Sequence, residues 1–146
     1  MRLSHVLNTK GHLVHTASPG DTIMDVIGKL VSHNIGALAV VDPHGSLVGI
    51  ISERDILRLL ARDAASLAAT KVAQRMTTKV LTASPEDEVD NCLNAMTEHR
   101  VRHLPVCIDG KLAGMVSIGD LVKTKLEDAV FETKHLTAFV MGQYPA

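Results

Sequence analysis

Gly49-Ile50-Ile51-Ser52-Glu53-Arg54-Asp55 and Gly114-Met115-Val116-Ser117-Ile118-Gly119-Asp120 carry one frame, Gly-x-x-Ser-x-x-Asp, twice in the same chain. Each copy reads as an apolar strand running into the first turn of a helix. Serine accepts a bond from the free N–H groups of a helix start, and an aspartate three residues later returns one while meeting the positive helix end. Either copy alone could be no more than a helix cap. Upstream, Thr16-Ala17-Ser18-Pro19-Gly20-Asp21 returns as Thr82-Ala83-Ser84-Pro85-Glu86-Asp87. The two pairs keep nearly the same spacing, with one residue lost in the Asp42-Pro43-His44-Gly45 turn, so the chain is an internal repeat.

Between these anchors the two units read alike. Ser18 and Ser84 are the expected helix caps, with Pro19 and Pro85 at the first helical position. Ile23, Val26, Ile27 and Leu30 then fall on one helical face, as do Val89, Cys92, Leu93 and Met96. Short apolar strands follow at Ala37–Val41 and Leu104–Ile108. Turns at Asp42–Gly45 and Asp109-Gly110 lead into second strands at Leu47–Ile51 and Leu112–Val116. Final helices are expected from Glu53 and Ile118. The expected fold is α+β, with two tandem β-α-β-β-α repeats packed as a pseudo-twofold pair, because a unit of roughly 60 residues buries too little alone. The boundaries read as residues 1–62 for the first repeat, 63–78 for a connector, 79–126 for the second repeat, and 127–146 for a helical tail.

Composition removes several function classes. Of 146 residues, 46% are apolar, 21% are charged, and the net charge is −1, so no broad basic face for nucleic acid is expected. Phe131, Phe139 and Tyr144 are the only aromatics apart from histidine, too few and too clustered for a base-stacking platform. No apolar run spans a bilayer and no signal peptide opens the chain, so a cytoplasmic location without membrane attachment is expected. Cys92 and Cys107 read as reduced, apolar-like residues. His99 and His103 have an i, i+4 spacing, but a strand should begin near His103, so no metal site is expected.

With both copies of its signature in register, the sequence resembles the CBS domain pair, or Bateman module, and in particular its stand-alone bacterial form. That resemblance implies a cleft between the repeats holding an adenosyl ligand: AMP first, with ADP, ATP, NAD and S-adenosylmethionine as alternatives. It also implies that the aspartate of one repeat shares a pocket with the first strand of the other. The first pocket would then hold Ser52, Arg54, Asp55, Thr82, Val101, Arg102, His103 and Pro105. The second would hold Thr16, Ile35, Gly36, Ala37, Ser117 and Asp120. A carboxylate suits two ribose hydroxyls, and Arg54, Arg102 and His103 suit phosphate. Gly36, Ala37 and Gly119 offer the second pocket room but little charge.

No nucleophile elbow, phosphate-binding loop or metalloprotease motif is present. The expectation is therefore a sensor that regulates a partner protein rather than an enzyme. A nucleotide-processing enzyme or a purely structural dimer module would be the alternatives. A homodimer is expected, with the apolar stripe of the tail as part of its interface and Phe139 as the anchor.

Overall fold

The computed structural model describes residues 1–142, the side chain of Phe139 excepted. In chain order the elements are α1 (Leu3–Lys10), β1 (Thr16–Ala17), α2 (Ile23–His33), β2 (Ala37–Val41), β3 (Leu47–Ser52), α3 (Glu53–Asp63), α4 (Val72–Arg75), α5 (Val89–His99), β4 (His103–Ile108), β5 (Lys111–Ser117) and α6 (Ile118–Val140). In the first repeat β1 runs parallel to β2, and β2 pairs antiparallel with β3. In the second, β4 and β5 form the antiparallel pair, and the counterpart of β1 shrinks to one bridge between Ala83 and Val106. Asp109 and Gly110 both have positive φ, 51° and 78°, which gives a two-residue turn whose twist matches its strands.

The two helix starts differ from expectation. Ser18 and Ser84 do not cap helices. Each closes a tight turn, its own N–H donating to Asp21 Oδ2 or Asp87 Oδ2 at 2.9 Å. Helix α2 begins later, where Thr22 and Asp25 exchange bonds as a capping box. Helix α5 follows Glu88, which makes no side-chain cap. The aspartates that seemed to serve the helix are consumed by the Ser-Pro turn before it.

There are two cores. One gathers Ile23, Val26, Leu30, Leu38, Val40, Ile51, Leu59 and Val72. The other gathers Val89, Cys92, Met96, Leu104, Val106, Val116 and Leu121 with Leu3, Val6 and Leu7. Helix α1 thus precedes the first repeat in sequence but completes the core of the second, while α4 completes the first. Their anchoring bonds correspond one to one. Leu3 N–H donates to Asp87 O and Ser4 N–H to Pro85 O, just as Val72 N–H donates to Asp21 O and Ala73 N–H to Pro19 O. The motif glycines are the seats for these helices. A Cβ on Gly114 would lie 2.6 Å from Leu7 Cδ2, and one on Gly49 would lie 2.6 Å from Met76 Sδ.

The repeats are further joined at their hairpin tips, where Leu47 N–H donates to Gly110 O and Leu112 N–H to Gly45 O. The stretch between them is built into the fold: Val72 is fully buried, and Thr77 exchanges both backbone bonds with Ile50. The C-terminal stretch is not a separate helix, because α6 runs unbroken from Ile118 to Val140. Leu121 and Thr124 are buried, whereas Leu126, Val130, Phe131 and Leu136 are exposed. Phe139, expected as the tail's anchor, has its side chain outside the described residues, and Tyr144 and Pro145 lie beyond them. Among the described residues, no helix is long and apolar enough to cross a membrane.

Candidate functional site

Both motifs fold as the sequence suggests, with each Ser-Asp pair at a strand-to-helix junction. Ser52 donates to Asp55 Oδ2 from its N–H at 2.9 Å and from its hydroxyl at 3.1 Å. Ser117 N–H donates to Asp120 Oδ2 at 2.9 Å, and its hydroxyl accepts from Asp120 N–H. Capping is therefore part of what these residues do. In both, capping uses only Oδ2.

Beside Asp55 lies a cavity of about 440 Å³ between the repeats. Its wall includes Ser52, Arg54, Asp55, Val101, Arg102 and His103, six of the residues expected in the first pocket. Thr82 and Pro105 are elsewhere. Thr82 lines a small groove with Asp87, Asn91 and Cys92, and Pro105 is buried, its carbonyl accepting from Ala83 N–H. Gly36 and Ala37, expected in the second pocket, line this first cavity. The room left by Gly36 is filled from the other repeat: a Cβ there would lie 3.1 Å from His103 Cε1.

The remaining wall was not anticipated. Thr77, Lys79, Val80 and Leu81 run along one side, with Arg58, His99 and Arg100 at the edges. Val80 and Leu81 were hidden because the residue-by-residue match between the repeats went back only to Thr16 and Thr82. Extending it by two residues aligns Val14-His15 with Val80-Leu81, a signal the sequence did contain. The cavity is electropositive: Arg54, Arg58, Lys79, Arg100 and Arg102 face it, against Glu53 and Asp55. Burial lowers the pKa of His103 below the ordinary histidine value, with Glu53 opposing that shift. Burial therefore favours the uncharged imidazole of His103 at neutral pH.

The second motif sits in different surroundings. Lys10, on the last turn of α1, donates to Asp120 Oδ2 at 2.6 Å and to Met115 O at 2.7 Å. Burial alone would raise the Asp120 pKa, but the bonds from Lys10 and Ser117 outweigh it and hold the carboxyl below its usual range. Of the other residues expected here, Thr16 lies in β1 with its carbonyl taken by Lys29, and Ile35 lines an apolar groove between α2 and α3. His15 and His33 stack face to face, with ring centroids 3.6 Å apart. Their counterparts in the second repeat, Leu81 and His99, both line the open cavity.

Neither cysteine is poised for chemistry: both are free, and burial pushes both thiols up. Among the described residues, no three His, Cys, Asp or Glu side chains gather as a metal site.

Comparison with known proteins agrees with this geometry. The CBS domain family matches residues 12–62 and 70–127. The chain is 37% identical over 150 residues to the mitochondrial CBS domain-containing protein CBSX3 of Arabidopsis thaliana, covering 97% of this chain and 73% of that one. It superposes on the CBS-domain-containing protein ATU1752 of Agrobacterium tumefaciens with a TM-score of 0.81 at 36% identity, covering 86% and 99% of the two chains. Two further structures were solved with ligands. The CBS domain pair of protein MJ0100 holds 5′-methylthioadenosine and S-adenosyl-L-methionine (TM-score 0.77, 29% identity, covering 88% and 98%). CBSX2 holds AMP (TM-score 0.71, 27% identity, covering 80% and 90%). With two matched domains, this fold and these relatives, the chain belongs to the CBS domain family as a tandem pair.

Proposed function

We propose that this chain is a regulatory module that binds an adenosyl ligand in the cavity beside Asp55 and reports its occupancy to a partner protein. AMP is the first candidate, followed by ADP, ATP, NAD and S-adenosylmethionine. The observation that carries this reading is an inter-repeat cavity that sets the Asp55 carboxylate beside a basic wall. Its volume falls in the range of small-molecule sites. The AMP and S-adenosylmethionine complexes of related pairs support the same ligand class.

Calorimetry with AMP, ATP, NAD and S-adenosylmethionine tests it, with chromatography of the mixtures afterwards. Saturable binding without conversion is the expected result. Turnover would make the chain an enzyme, and no binding by any of the four would end the reading. Arg102→Ala should weaken AMP far more than adenosine, since a guanidinium gains nothing from a ligand without phosphate. Equal losses would instead assign Arg102 to the fold.

The proposal includes a homodimer. Met24 and Val31 on α2, Leu57 on α3, and Val122 and Leu126 on α6 leave apolar helical faces exposed. Twofold association is the commonest way to cover such faces. Light scattering should give twice the chain mass at micromolar concentration, and truncation after Asp128 should weaken the dimer while leaving both repeats folded. A monomeric full-length chain removes this part of the proposal.

A further inference from the structure

A second basic space adjoins the nucleotide cavity. It measures about 570 Å³ and is lined by Asp55, Arg58, Leu59, Arg62, Arg75 and Thr77. Asp55, Arg58 and Thr77 also line the first cavity, so the two spaces share a wall. Arg58 and Arg62 are one turn apart on α3 and therefore share a face. Arg75 arrives from the end of α4.

No carboxylate within 4.0 Å neutralises Arg58, Arg62 or Arg75 among the described residues; the ion pairs found there involve other cations. Arg62 and Arg75 each lie in the last turn of a helix, where a cation is favoured by the helix dipole. That explains each one singly. It does not explain why two different helices deliver guanidinium groups, together with Arg58, to one groove whose sole acid is Asp55.

From this convergence we infer that the groove is an anion subsite for the distal phosphates of a nucleotide carrying more than one. The inference rests on the nucleotide reading above. A ligand held at its sugar by Asp55 sits at the junction of the two spaces. A single phosphate can be met by Arg54 and Arg102 within the first cavity, while a longer phosphate chain has the groove within reach. Guanidinium groups bind phosphate oxygens in forked pairs, so three of them suit an oligophosphate. The groove therefore discriminates by phosphate number, and the first cavity by the nucleoside.

The test is calorimetry with AMP, ADP and ATP, in EDTA, on the full chain and on Arg62→Gln/Arg75→Gln. Both substituted residues line only the groove. Affinity should rise from AMP to ATP by at least about tenfold in the parent. In the variant that rise should disappear, with AMP affinity within about twofold of the parent and an unchanged circular dichroism melt. ATP binding should also weaken more steeply with added salt than AMP binding. Equal AMP and ATP affinities in the parent, a rise that survives in the variant, or a variant that loses AMP and ATP equally would each overturn the subsite. If neither nucleotide binds the parent, it is the nucleotide reading that fails. Inorganic tripolyphosphate then decides the groove separately: binding that the double substitution removes supports it, and no binding overturns it.

Discussion

The two clefts start from the same seven-residue frame and end in different chemistry. At Asp55 the neighbouring helix α4 is a single turn, after which the chain straightens and Thr77 pairs with Ile50. The residues that follow, Lys79 to Leu81, become the wall of an open cavity. At Asp120 the equivalent helix α1 runs for eight residues, and its last turn brings Lys10 onto the carboxylate and onto Met115 O, the counterpart of Ile50. A motif thus supplies a carboxylate at a helix start, but the length of the element seated on its glycine decides whether that carboxylate faces an open cavity or a lysine.

The largest expected contrast is between the aspartates themselves. Asp55→Ala should cost AMP about 1.5–3 kcal/mol, roughly 10- to 150-fold in affinity, as a charge-assisted bond is lost. Asp120→Ala should leave AMP affinity within about twofold, because its carboxylate already serves Lys10. Calorimetry that finds equal losses would erase the distinction between the clefts. The same instrument sharpens it in the other direction. Lys10→Met keeps a long apolar side chain but frees Asp120, and adenosine stoichiometry should rise from one to two per chain. A stoichiometry that stays at one would show that something other than Lys10 separates them.

The third contrast concerns pH. His103 packs against Gly36 and is surrounded by Glu53, Asp120, Lys10 and Arg102. Its pKa in the fold is below 6.5, so the unfolded chain takes up the proton first. The stability linked to its neutral form is intact above that value and is lost as pH falls through it towards the folded pKa. His103→Gln should therefore lose less Tm than the parent between about pH 7 and pH 5. A parallel fall in both proteins would rule out this linkage.

The smallest effect distinguishes the two helix ends. Asn34 and Arg100 occupy the same C-cap in the left-handed region, with φ of 51° and 55°. Asparagine tolerates that geometry better than arginine. Arg100→Asn, which copies the first repeat, should stabilise the protein by a few tenths to about 1 kcal/mol in urea unfolding. A destabilised variant would mean that the Arg100 side chain contributes more to the cavity wall than its backbone costs.

The repeat, its strands and the two Ser-Asp junctions were legible because periodicity and turn residues are local signals. Val26, Val40, Met96 and Val106 all lie in the cores that their spacing suggested. What the sequence concealed was non-local. The spacing of Leu3, Val6 and Leu7 marks an amphipathic helix, yet nothing in it says that the partner lies beyond residue 85. For the same reason Lys10 could not be matched to Asp120, and Gly36 was read as empty space when it is a socket for His103. The caps at Ser18 and Ser84 were misplaced because a Ser-Pro-x-Asp turn and a helix start use the same residue types.

The crossing of α1 to the second repeat also sets an order of assembly. Everything the first core needs lies within one continuous stretch from β1 to Met76, so it can close as that stretch leaves the ribosome. The second core must wait for strands made much later and then recapture α1, made well before them. The Arg2 guanidinium donates to Glu86 across 84 residues of sequence. Closing so wide a loop carries an entropic penalty before any contact forms, which makes the second repeat the slower folder. Pulse-labelled hydrogen exchange during refolding should protect α2 amides before those of α5, and simultaneous protection would contradict this order.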